Sequence, residues 1–317
     1  MVATKVNLPH TQDRIFLTYT GMETDLIFTQ GIDLPGFASF PLLETEAGRA
    51  RLESNYRALI DLGRQTATGV VLESVTWVAN RDRGAAIGYA PAALRVANID
   101  AIAMMAKLRD EAKDVTVVLS ANIGPRADAY APDTQMSAAE AERYHREQTA
   151  HLAKTQVDLI SGYTLAYTAE AIGIVRAAKA FALPVAISFT VETDGRLPTG
   201  TSLSAAIKEV DAATDGYASY FMINCAHPDH FTSILAEAAA GGRLKGIVAN
   251  ASRCSHAELD NADELDAGDP EELGRQLGLI RRRHPQFMVF GGCCGTDMRH
   301  MARIAENVRS GNVQVRG

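Results

Sequence analysis

The chain has 317 residues, of which 47% are hydrophobic and 22% charged, with a net charge of −7. That length suits one α/β barrel or two small domains. The acidic balance excludes a nucleic-acid or anionic-membrane partner, which would need clustered Lys and Arg. No apolar run reaches membrane-spanning length, and the first residues, MVATKVNLPHTQDR, lack the apolar core of a signal peptide. The expectation is a cytoplasmic protein, in which four cysteines point to metal binding or catalysis rather than to a disulfide framework.

In chain order, short β-rich runs alternate with longer helical ones. Strands are predicted over 16–19, 69–73, 115–121, 157–162, 184–190, 220–225, 246–250 and 287–291. VVLE, TVVLS, VAISF and FMVF are near-continuous apolar runs, the signature of strands buried on both faces of a parallel sheet. Helices are predicted over 44–62, 91–110, 137–154, 168–182, 202–212, 231–239, 270–283 and 298–307. Ser137 with Glu140 three residues on forms a capping box, and Asp269 followed by Pro270 reads as N-cap and first helical residue. The basic cluster Arg281, Arg282, Arg283 and His284 ends a predicted helix, where it faces solvent and complements the helix dipole. The loop from 22 to 39 is long for a βα connection, as functional loops often are. Eight strand–helix units in this length predict a single-domain (β/α)₈ TIM barrel over residues 1–317. A doubly wound sheet is the alternative, but the first strand is followed by TGMETDL, without G-x-G-x-x-G spacing.

Barrels place their chemistry at the C-terminal ends of the strands. Cys225 ends the sixth strand in YFMINCAHP, and Cys293 and Cys294 follow the eighth in FMVFGGCCGTD. Both stretches open onto one mouth. Three thiolates there make a soft site for Zn²⁺ with one coordination position left open. Gly291 and Gly292 would permit the bend that aims both cysteines at one centre, with Gly295 at positive φ behind them. Cys254 reads as a packing residue. His227 and His230 follow Cys225, but Pro228 and Asp229 signal a helix start that makes them capping or surface groups. A hydrolytic zinc barrel would show a His-x-His pair at a strand end, and none is present.

INCAHP and GGCCGTD resemble the two cysteine motifs of the zinc-dependent homocysteine S-methyltransferases. In the same order along the chain, GMETDL resembles the family's G-M-G-T-E-L. IGPRADAY resembles its S-x-G-P-Y-G, SFTVETDGRLPTGTSL its S-F-x-x-x-x-x-G-x-L-x-x-G, and ANAS its P-N-S. The family fold is a (β/α)₈ barrel. The resemblance implies that Cys225, Cys293 and Cys294 hold Zn²⁺ and that a small-molecule thiol takes the fourth position. An onium compound (S-methylmethionine, S-adenosylmethionine or a betaine-like molecule) would give up its methyl group, with homocysteine yielding methionine by default. A homo-oligomer is compatible with it. Trp77, the sole tryptophan, offers either a cation–π face to such a donor or packing in its loop. Glu73 would pair with a substrate ammonium or bridge to Arg81 or Arg126. Asn224 and Asn250 would orient substrate or satisfy loop backbone.

Two departures stand out. Tyr19 occupies the position of an acidic residue in the family's first strand, and Tyr163 that of the glutamate which follows the fourth strand and holds the amino group of homocysteine. A tyrosine does not balance an ammonium as a carboxylate does. Either Glu23, Asp25, Glu73 or Glu192 compensates, or the acceptor is another small thiol or selenol. A non-catalytic zinc- or partner-binding barrel is the reading from a different class.

Overall fold

The computed structural model describes residues 8–130, 134–262 and 264–309. Eight parallel strands close into a barrel in sequence order. They are β1 (Phe16–Tyr19), β2 (Gly69–Glu73), β3 (Val117–Ile123), β4 (Leu159–Leu165), β5 (Val185–Phe189), β6 (Tyr220–Asn224), β7 (Leu244–Ala249) and β8 (Val289–Gly292). Apart from Lys245, every strand residue is buried, which is why these runs read as continuous apolar stretches. Alternate residues fill the barrel with Phe16, Val71, Val118, Leu159, Tyr220, Met222 and Val289, while the intervening ones pack against the helices. No described helix is long and apolar enough to cross a membrane.

Local chemistry fixes the helix starts. Ser137 and Glu140 form the predicted capping box ahead of the helix Ala138–Leu152. Asp269 accepts from two backbone amides at the start of Pro270–Arg283. Three expectations change. The helix predicted over 231–239 is three short pieces, Pro228–Phe231, Thr232–Ile234 and Leu235–Ala238, with Phe231 at φ −126° interrupting the helical run. Arg281 does not face solvent with Arg282 and Arg283: it is 7% exposed and its guanidinium donates to the carbonyl of Pro285. β3 and β4 both run further than predicted, which places Asn122 and Tyr163 inside strands.

Candidate metal centre and substrate cavity

The three thiols meet. The sulfurs of Cys225, Cys293 and Cys294 lie within 4.8 Å of one another, and Cys225 Sγ is 3.5 Å from Cys294 Sγ. The bridge between the two cysteine loops is β7, which carries no cysteine itself. Cys225 N–H donates to Val248 O at 3.1 Å and Cys293 N–H to Ala249 O at 2.8 Å. In return Asn250 N–H donates to Ala226 O, and Ala251 N–H to Cys294 O. Cys225 lies just past the end of β6 with φ 56°, a left-handed conformation that turns its side chain over the mouth. On the other side, β8 stops at Gly292, as the two adjacent sulfurs require, and Gly295 takes φ 77°. Gly291 serves close approach rather than bending, since a Cβ there would stand 2.1 Å from Thr18 O.

Such a trio holds its first proton weakly and its others strongly. Hydrogen bonds from Cys225 and Cys294 pull Cys293 well below the usual thiol range. The hydrogen bonds of the resulting cluster, with burial, push Cys225 and Cys294 up. A divalent soft cation is what this anionic, sulfur-only donor set fits. Tetrahedral Zn–S bonds of about 2.3 Å would set the sulfurs about 3.8 Å apart, within the spread seen here. Cys254 is half-buried and outside the cluster. His227 caps the helix Pro228–Phe231 through Nδ1, and His230 Nε2 bonds Arg253 O at 2.9 Å. Both histidines are buried rather than surface groups, and neither belongs to the cluster.

The sulfurs form one wall of a cavity of about 800 Å³ at the C-terminal mouth of the barrel. Tyr19, Glu73, Trp77, Tyr163, Asn224 and Asn250 all line it. Their hydrogen bonds separate them. Tyr19 Oη donates to Thr296 O at 2.9 Å and so braces the cysteine loop. Asn224 Oδ1 accepts from Thr164 N–H and Ser188 Oγ, and its amide donates to Thr164 Oγ1; it supports the β4 bulge, where Thr164 has φ 59°. Glu73 does not bridge to Arg81 or Arg126, both of which pair with Asp82. Instead Tyr163 Oη donates to its Oε1 at 3.2 Å, and burial pushes its pKa up to about 7 against the pull of Ser120, Tyr163 and Ser161. Glu73 Oε2, Asn122 Oδ1 and Asn250 Oδ1 are buried with no hydrogen-bond partner, and all three residues line the cavity. Orphaned acceptors of this kind are rare in folded proteins.

Of the other acids, Glu23 lines the cavity half-buried under Ser39, with its carboxyl pushed up by burial. Asp25 accepts from Gln30, and Glu192 faces His256. Further lining residues that the sequence reading did not assign to the site include Arg83, Asn122, Tyr130 and His256. Tyr130 Oη lies 2.9 Å from Cys225 Sγ, its ring stacked on His256 at 4.0 Å. His256 Nε2 is 2.6 Å from Cys225 O. Asn122 was accessible in principle, as a polar residue breaking the apolar run of β3.

The homocysteine S-methyltransferase family model matches residues 20–308. Among solved structures, the oxidised form of the homocysteine methyltransferase MmuM from Escherichia coli superposes with a TM-score of 0.71 at 20% identity, covering 95% of this chain and 99% of that one. Its metallated form gives 0.68 at 18% identity, covering 93% and 96%. No curated protein matches the chain.

Proposed function

Since the chain belongs to the homocysteine S-methyltransferase family, we propose that it moves a methyl group from an onium donor to a thiol held at Cys225, Cys293 and Cys294, with homocysteine the default acceptor and methionine the product. The observation that carries this is the convergence of three sulfurs, within 4.8 Å of one another, on the wall of a cavity large enough for two small molecules. Zn²⁺ bound there would strip the proton from an acceptor thiol and leave its sulfur electron-rich. The chain supplies the rest. β7 and Tyr19 hold the two cysteine loops in register. Glu73 Oε2, Asn122 Oδ1 and Asn250 Oδ1 offer acceptors to a cationic ligand group, in place of the carboxylates the resemblance would put at Tyr19 and Tyr163. The unpaired thiols such a centre needs persist in a reducing compartment, which supports a cytoplasmic location.

A second reading keeps the reaction and changes the acceptor. Glu73 is half-neutral near pH 7 and Tyr163 carries no charge, so the barrel interior favours an ammonium less than two carboxylates would. A small thiol or selenol without an α-amine would fit that interior.

The test is metal content and methyl transfer in wild type and Cys294→Ala, using homocysteine and amine-free thiols against S-methylmethionine, S-adenosylmethionine and glycine betaine. Near-stoichiometric zinc, lost in the variant, with a methylated thiol supports the reading, and which thiol reacts decides the acceptor. Zinc without turnover of any thiol would instead mean a non-catalytic barrel. No zinc in reduced wild type would end the metal mechanism.

A further inference from the structure

Among the described residues that line this cavity, Arg83 is the one arginine or lysine. It lies on the short helix Arg81–Ala86 that follows β2, capped by Asn80, and it lines the same space as the three sulfurs. Its guanidinium carbon stands 4.5 Å from the centre of the Trp77 ring. Its Nη1 is buried with no hydrogen-bond partner. Two nearby arginines are committed elsewhere. Arg81 and Arg126 pair with Asp82 and stand over the ring of Tyr144.

The shelf under Arg83 is built. Trp77 O accepts from Gly124 N–H at 2.9 Å, and Trp77 Nε1 donates to Tyr163 O at 3.3 Å. A Cβ at Gly124 would stand 2.5 Å from Trp77 O and 2.6 Å from Nε1, so only glycine lets the indole tuck against the end of β3. Phe37 packs edge-on against the same indole. One face of the indole thus carries the protein's own guanidinium. Stacking fixes the plane of an arginine and leaves its N–H edge to read a planar oxyanion. Burial lowers the pKa of Arg83, and Asp128 is the acid whose charge opposes that.

We propose that Arg83, seated on Trp77, binds the carboxylate of a molecule entering the cavity and so selects carboxylate-bearing substrates. The assignment rests on the cavity beside the sulfurs being the substrate site. The carboxylate belongs either to the thiol acceptor or to the onium donor, and both are tested.

Binding is read without turnover. Trp77 is the sole tryptophan, so its fluorescence reports on this shelf alone. Homocysteine and 3-mercaptopropionate are titrated against cysteamine and 2-mercaptoethanol, and glycine betaine and S-methylmethionine against choline and trimethylsulfonium. The proteins are zinc-loaded wild type, Arg83→Gln and Arg83→Lys, with circular dichroism to confirm the fold. A charged hydrogen bond of this kind is worth at least about tenfold in affinity. Arg83→Gln should weaken carboxylate-bearing probes by that factor and leave the others unchanged, while Arg83→Lys retains part of the binding. A loss confined to thiols assigns the carboxylate to the acceptor; a loss confined to onium probes assigns it to the donor. Equal weakening of carboxylate-free probes, unchanged binding of carboxylates in Arg83→Gln, or no binding of any carboxylate to wild type overturns the proposal. Arg83-dependent binding without methyl transfer to any thiol would remove the proposed reaction and leave this assignment standing.

Discussion

Glu73→Gln should gain stability over the empty wild-type protein as pH rises, with most of the gain in place by pH 8 and little of it at pH 5. Glu73 is 5% exposed, with one oxygen bonded to Tyr163 and the other unpartnered. Burial raises its pKa from 4.5 to about 7. A carboxyl whose folded pKa lies above its unfolded value binds more protons in the native state. Stability therefore falls as pH rises from 4.5 to 7 and is level on either side. At 1.36 kcal/mol per pKa unit, the ionised carboxylate costs about 3 kcal/mol above pH 7. Glutamine keeps the shape and the hydrogen-bonding group but does not ionise. The assay is urea unfolding of metal-free wild type and variant at half-unit steps from pH 4.5 to 8. The gap between the two should open by about 3 kcal/mol across that window, or roughly 5 °C in melting temperature. Parallel curves would refute the reasoning, as would a variant that loses stability above pH 7. Substrate binding should show the converse: affinity for an amine-bearing thiol rises through pH 7 in wild type and stays flat in Glu73→Gln.

Gly21→Ala puts a Cβ 2.3 Å from Cys293 O and 2.7 Å from Thr296 Oγ1, so it should displace the cysteine loop. We expect about 1–3 kcal/mol of destabilisation and weakened zinc retention in a chelator competition; unchanged retention would count against the packing argument. His145→Ala should cost about 1–3 kcal/mol, because it removes a buried hydrogen bond of 2.9 Å to Glu170, which keeps the backbone N–H of Arg126. Chemical denaturation measures it, and a loss below 1 kcal/mol would show that the pair contributes little.

How much of this was legible beforehand depends on the physics behind each signal. Strands buried on both faces leave apolar runs, so all eight were visible, and β1 and β2 match to the residue. The polar ends of β3 and β4 were cut short because Asn122 and Tyr163 look like loop residues until a cavity gives them something to line. The cysteines were readable because two adjacent thiols between glycines suit little else. Glu73 was found from its place at a strand end and Tyr163 from the resemblance, but not that the two are hydrogen-bonded to each other. Arg83 was missed because Arg81 stands two residues before it in the same charged stretch, and only packing shows that Asp82 holds Arg81 and Arg126 but not Arg83. Arg281 was misplaced for a similar reason: a run of like charges is read as one solvated face, yet a long side chain can fold back onto a carbonyl.

The dependence of both cysteine loops on β7 also bears on how the protein is made. The first thiol stands at position 225 and the last at 294, and the strand that sets their spacing lies between them. A growing polypeptide therefore holds no complete thiol cluster until Cys294 has left the ribosome and β8 has paired with β7 and β1. The three sulfurs are thus a readout of barrel closure: they come within 4.8 Å of one another through pairings that span β6, β7 and β8.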